Sequence, residues 1–276
     1  MRKSFADILN SAQFNIETEY YRLKTLFYEK TVLLYSGGHP YTTTLHNIVN
    51  SRFTNVSFRN NALSLDDFDT INNFHFNEYQ SPIEIDLYLT FCEYLNNILT
   101  EIKEYLPSDF FLTCDLIKKQ ISTAIEKMQF IEIHQGNLIS YVPKNAASIS
   151  VAEIIEDNDL SYKTLFYNHH SLSGDLEGKK EILLKFANLF ESRKSEAKGI
   201  CDKVLENLSF AFNNFNIRHN NIDLSSKSYQ EFFAKLSDSE KEELYDDTYQ
   251  LCLEFFIALD NKDKVTKFEN IRKNKK

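Results

Sequence analysis

"SDSEKEELYDDTYQLCLEFFIAL", residues 237–259, is the stretch on which the fold class turns. Ser237 with Glu240 three positions on forms a capping box, in which each side chain satisfies a backbone N–H that a helix start leaves open. Leu244, Tyr249, Leu251, Cys252, Phe255, Phe256 and Leu259 then recur as one apolar stripe. The pattern predicts a long amphipathic helix whose stripe is either core or the seam of a homodimer, with Phe255 or Phe256 near the seam's centre. Four or five such helical segments fit in the C-terminal 115 residues, which is the arrangement an antiparallel bundle requires. The expected class is therefore mainly α: a helical bundle at the C-terminus, a helical N-terminal region and one small β-hairpin.

Upstream, residues 17–35 have a helical pattern that "SGGHP" at 36–40 closes with two glycines and a proline. Residues 41–81 are rich in Asn, Thr and Asp with weak periodicity, as expected of a long irregular, lid-like connection. From Pro82 the period sharpens, and Ile85, Leu89, Cys92, Leu95, Leu99 and Ile102 predict a helix that ends near Pro107. "IEIDLYL" at 83–89 has the apolar–acid alternation of a nucleotidyltransferase metal strand, with "SGG" upstream as that family's glycine turn. The helical period, and the long gap from Gly37 to Glu84, exclude it.

"CDLIKKQISTAIEKMQF" at 114–130 reads as a helix, and "FIEIHQGNLISYVP" at 130–143 as a hairpin turning at Gly136. A helix followed by a hairpin has the outline of a winged helix, but this hairpin carries no Lys or Arg with which to read DNA. Beyond it come a helix, a polar break with His169 and His170, and a helix with Asp175 as N-cap. Adjacent histidine side chains diverge and no acid stands at zincin spacing, so polar loop residues are expected there, with no metal and no cofactor. A further helix covers about 193–215. Three stretches result: 1–107, helical with the lid-like segment; 108–160, a helix plus hairpin; and 161–276, the bundle with a basic tail.

Composition narrows the function classes. A hydrophobic content of 42% across 276 residues supplies a core without staples. Cys92, Cys114, Cys201 and Cys252 lie far apart among apolar neighbours and form no CxxC, as suits buried thiols in a reducing compartment. The basic start at 1–3 is interrupted by Asp7 and Asn10 before a signal-peptide core could form, and no stretch is apolar enough to span a bilayer, so a cytoplasmic protein is expected. A net charge of −9 argues against a general nucleic-acid coat. Charge is uneven: the tail from 261 carries seven Lys or Arg against two acids, a solvated helix end or a local nucleic-acid contact.

"FNIRHNNID", residues 215–223, concentrates the chemistry. Arg218 supplies a permanently charged planar fork suited to phosphate, and His219 is the side-chain type that exchanges protons near neutrality. Together they could run phosphodiester cleavage, the histidine moving the proton of an RNA 2′-hydroxyl or leaving oxygen and the arginine stabilising charge on phosphate. A helix end equally favours cations and asparagine for purely structural reasons, since Arg and His bond the last carbonyls and Asn tolerates a left-handed turn.

A late helix leading into Arg-His-Asn-Asn, followed by "SYQEFFAKLSDSEKEELYDDTYQLCLEFF", resembles the HEPN-type domains of bacterial abortive-infection and toxin proteins, over roughly 161–262. The resemblance implies an all-helical, homodimeric, metal-independent ribonuclease of phage defence, with a composite RNA site at the dimer, a regulatory N-terminal part and a partner or phage protein as trigger. Arg218 and His219 would be catalytic, with Asn214, Asn220, Asn221 and Asp223 contacting RNA or supporting the site. The family's arginine is followed at a short interval by a histidine, whereas Asp223, Leu224 and Ser225 occupy that range here. That departure favours the alternative, a non-catalytic sensor or interaction protein of a defence or toxin–antitoxin system whose bundle mediates assembly or RNA binding, whereas the density of Arg, His and three Asn at one helix end favours the ribonuclease.

Overall fold

The computed structural model describes residues 14–274, and the basic start of the chain lies outside the described residues. Two compact units divide after Tyr141. The fold is mainly α, with two small strand pairs. No helix among the described residues is long and apolar enough to cross a membrane.

The N-terminal unit starts with helix α1 (Ile16–Lys24), capped by Asn15, whose side chain accepts from the Thr18 N–H at 2.8 Å. The sequence pattern carries this helix on to Tyr35, but it ends in a π-turn at Thr25–Glu29. The chain then forms strands β1 (Thr31–Ser36) and β2 (His39–Thr44), paired antiparallel from Thr31 opposite Thr44 to Ser36 opposite His39. Gly37 and Gly38 sit at φ 57° and 83°, the left-handed pair that a two-residue hairpin turn demands. The glycines expected to stop a helix instead reverse a strand, and the described residues hold two hairpins where the sequence pattern predicts one.

The stretch read as an irregular lid holds two short helices, α2 (Leu45–Arg52) and α3 (Leu65–Asn72). Thr44 and Ser64 cap them by accepting from the N–H groups of Asn47 and Asp67. Each is eight residues long, too short for apolar periodicity to stand out. Helix α4 (Ile85–Ile102) buries Leu89, Cys92, Leu95, Leu99 and Ile102 in the core of this unit, as its period requires. Helix α5 (Phe111–Lys127) packs on α4 and leads into β3 (Phe130–Gln135) and β4 (Leu138–Pro143).

The second hairpin is fastened to α4 along the edge of β4. Asn97 takes the Ile139 N–H and donates to the Ile139 carbonyl, both at 2.8 Å, and Glu93 takes the Tyr141 N–H at 2.7 Å. This is a hairpin docked on a helix, not an outstretched wing.

The C-terminal unit contains α6 (Ala146–Ile154), α7 (Asn158–Phe166), α8 (Leu176–Arg193), α9 (Asp202–Asn214), α10 (Glu231–Ala234) and α11 (Asp238–Asn274). The capping box is formed: Ser237 accepts from the Glu240 N–H, while the Glu240 carboxylate accepts from both the N–H and the hydroxyl of Ser237. Helix α11 packs against α6, α8 and α9. Of its stripe, Tyr249, Cys252, Phe255, Phe256 and Leu259 are buried, with Leu244 and Leu251 packed half-buried against them, and Phe255 meets Phe190 at 5.0 Å between ring centroids. Phe255 is 0% and Phe256 1% exposed, so these two residues belong to the core and do not stand at the centre of a dimer seam.

Lys179 on α8 is buried and bonds Glu242 at 2.8 Å and Asp246 at 2.7 Å, which holds α8 to the first half of α11. As expected, Asp175 caps α8 by accepting from the Gly178 N–H. His169 accepts from the Ser171 N–H at the turn before it. The rings of His169 and His170 do not diverge as neighbours on a regular backbone would: their centroids are 4.2 Å apart, because the turn folds one ring over the other.

Candidate functional site

Helix α9 ends as the sequence suggests, apolar on one side and polar at its tip. Leu205, Leu208 and Phe212 are buried, the Phe215 N–H returns to the Ala211 carbonyl, and Asn216 then adopts φ 57°. Asparagine suits this left-handed position because its short polar side chain bonds locally. Here the bond is to Asn221. The Asn216 N–H donates to Asn221 Oδ1 at 2.7 Å, and the Asn221 N–H donates to Asn216 Oδ1 at 3.1 Å. Asn221 Nδ2 donates to the carbonyls of Asn213 and Ser228, and the Asn221 carbonyl accepts from Gln230. A fully buried asparagine thus closes the loop with its polar atoms satisfied.

Arg218 is held as firmly. Its Nη1 bonds Glu191 Oε1 at 2.7 Å, its Nη2 donates to the Ala187 carbonyl, and its guanidinium lies 5.3 Å from the Phe212 ring centroid. Its N–H returns to the Phe212 carbonyl. The arginine ties the end of α9 to the flank of α8. Sequence reasoning names Arg218 but not Glu191 or Ala187, because a partner 27 or 31 residues away leaves no local signal.

The remaining candidates spread outward. His219 and Asn220 are exposed and line an open cleft of about 350 Å³ with Arg218, Asn216, Ile217 and Ile222. Lys180 and Glu177 from the first turns of α8 complete it, paired with each other at 3.5 Å. Asn214 donates back to the Phe210 carbonyl inside its own helix. Asp223 stands apart in a turn, accepting from the N–H and hydroxyl of Ser225, and these bonds lower its carboxyl pKa. The structure therefore brings Arg218, His219 and Asn220 to one cleft, puts Asn221 beneath it, and leaves Asn214 and Asp223 off its lining.

An aromatic cluster absent from the sequence reading adjoins the knot. Phe215, next in the chain to Asn216, contacts Phe210 at 5.6 Å and Phe232 at 6.1 Å. Phe210 and Phe232 are themselves stacked 6.4 Å apart and are 52% and 46% exposed. A large aromatic on the solvent side of a helix was the available signal.

The chain matches no protein-family model, no curated protein and no solved structure. The geometry alone therefore carries the reading of this site.

Proposed function

We propose that this chain acts by binding rather than by catalysis: an interaction protein whose C-terminal unit contacts single-stranded RNA. The observation that carries this reading is the engagement of Arg218. A guanidinium that already bonds Glu191 and a backbone carbonyl and lies over Phe212 is placed to hold the fold, and turning it to a scissile phosphate would break those contacts. What remains presentable is a cleft with Lys180, His219 and Asn220, and two half-exposed phenylalanines, both in contact with Phe215 next to Asn216 in the chain, that offer flat faces to bases.

Binding of a labelled single-stranded RNA, followed by fluorescence anisotropy, tests this. Replacing Phe210 and Phe232 together by Ala should weaken binding at least about tenfold, since base stacking contributes about 1–3 kcal/mol per base. Lys180→Glu should weaken it further and flatten its salt dependence. Affinity unchanged in these variants would sink the reading.

A HEPN-type ribonuclease is the second reading, and one observation favours it: exposed His219 and Arg218 share the lining of one cleft. It requires the Arg218–Glu191 pair to open. Its signature would be metal-independent cleavage leaving 2′,3′-cyclic phosphate ends.

A further inference from the structure

The two hairpins of the N-terminal unit differ at their edges. The edge of β4 is satisfied by Asn97 and Glu93. For β1–β2, no hydrogen bond among the described residues joins the backbone at 31–43 to another element. A strand in this position is a template for pairing, and folded proteins blunt such edges with lysine, proline or a bulge. Strand β2 carries Pro40; β1 has none of the three, and its six pairs with β2 run without interruption.

Two features of β1 indicate what pairs with it. Residues 31–51 contain no Asp, Glu, Lys or Arg, the longest such run in a chain that is 26% charged. Copies carrying a net charge of −9 repel one another, and this segment adds no charge to that repulsion. The second feature is the division of its faces. Leu34 is 7% exposed and turned to the core, while Leu33 and Tyr35, on the opposite face, are 51% and 70% exposed.

We propose that the outer edge of β1 pairs antiparallel with β1 of a second copy, joining the two hairpins into one four-stranded sheet. A two-fold axis perpendicular to the sheet keeps the same face of both copies outward. Centred on Leu34, it sets Leu33 opposite Tyr35 of the second copy, and the same pair recurs by symmetry. An aliphatic side chain across from an aromatic one is a favourable cross-strand pair, made twice. Six residues of strand pairing bury less than a standard interface, so the dimer forms at the upper end of the concentrations usual for folded proteins.

Sedimentation velocity of the full chain across two decades of concentration tests the proposal. The wild type should pass from monomer to dimer, with slower hydrogen exchange of the amides at 31–36 in the concentrated sample. Leu33→Lys with Tyr35→Lys places charges on an already exposed face, and should raise the dissociation constant at least tenfold while the circular dichroism spectrum and melting temperature stay unchanged. Ser36→Lys, at the turn end of the same strand, is the second variant and should weaken the dimer in the same direction. A wild type that is monomeric throughout, or a dimer that persists in both variants with unchanged exchange at 31–36, overturns it.

Discussion

The polar knot of the C-terminal unit and a polar node of the N-terminal unit handle the same problem in opposite ways. Around Asn221 the buried polar atoms of one side chain find partners, and Arg218 beside it is neutralised by Glu191. Around Asp69 on α3 the bonding is incomplete. Tyr94 donates to Asp69 Oδ2 at 3.1 Å, but Oδ1 is buried with no hydrogen-bond partner among the described residues. Burial pushes the Asp69 carboxyl up to about 7, with Asp66 adding to the rise and the Tyr94 hydrogen bond opposing it. A satisfied polar cluster holds a loop in one shape; an unsatisfied one makes stability depend on pH.

Asn221 is where this contrast is most exposed to test. Asn221→Ala leaves the buried Asn216 N–H without its acceptor and removes the donors to the partly buried carbonyls of Asn213 and Ser228. At about 1–3 kcal/mol for each orphaned group, partly relieved by water, the cost should be about 3 kcal/mol in urea or thermal unfolding. Asn221→Asp is a stricter probe, since it keeps the acceptor and removes both Nδ2 donors. A loss under about 1 kcal/mol in both variants would mean that the knot does not hold the loop.

Arg218 comes next. Arg218→Ala removes the Glu191 pair, the bond to the Ala187 carbonyl and the contact with Phe212, and should cost about 2 kcal/mol. Arg218→Lys keeps the charge but lacks the fork, so it should recover less than half of that loss. Full stability in Arg218→Ala would show that the guanidinium is available for other work.

These residues also show how far the sequence could be read. The long periodic segments, α4 and α11, were legible because an apolar stripe sustained over four or more turns fits a helix and little else, and the capping box located the start of α11. The first hairpin was not: "TVLLY" is a continuous apolar run that extends a helical pattern as readily as it forms a strand, and length alone could not separate them. At the knot, residue chemistry was legible and engagement was not. Arginine, histidine and asparagine at a helix end announce either a cap or a site. The choice rests on Glu191 and Ala187, which only the folded packing of α8 supplies.

Asp69 should give a smaller effect of opposite sign. In the unfolded chain its carboxyl titrates near 3.8, and in the folded protein it holds its proton up to about 7. Below about pH 3 both states are mostly protonated and the group contributes little difference. As pH rises through the window between these values the unfolded state ionises first, so this group lowers stability progressively, with the full penalty present above pH 7. Asp69→Asn cannot ionise and should be more stable than the wild type at pH 8 by about 1 kcal/mol, allowing for solvent screening of a partly exposed group, and nearly equal to it at pH 3. Chemical denaturation at the two pH values checks this, and an advantage of the same size at both would remove the titration as its cause.

His219 should change stability least and discriminate function most. It is exposed at the rim of the cleft, so His219→Ala should alter unfolding by no more than about 0.5 kcal/mol, the usual range for a surface substitution. Its chemical effect separates the two readings. If the cleft only binds, the substitution removes one polar contact among several: RNA affinity should fall about threefold, and neither wild type nor variant should produce 2′,3′-cyclic phosphate ends. If the cleft cuts RNA, His219 moves the proton of the 2′-hydroxyl or of the leaving oxygen, and its loss should slow cleavage by about a hundredfold or more with affinity nearly unchanged. Glu191→Gln adds a second arm, because weakening the pair that holds Arg218 should raise cleavage in the second case and do nothing but cost a little stability in the first. Cleavage by the wild type that His219→Ala abolishes and Glu191→Gln accelerates would move Arg218 from the fold to the chemistry.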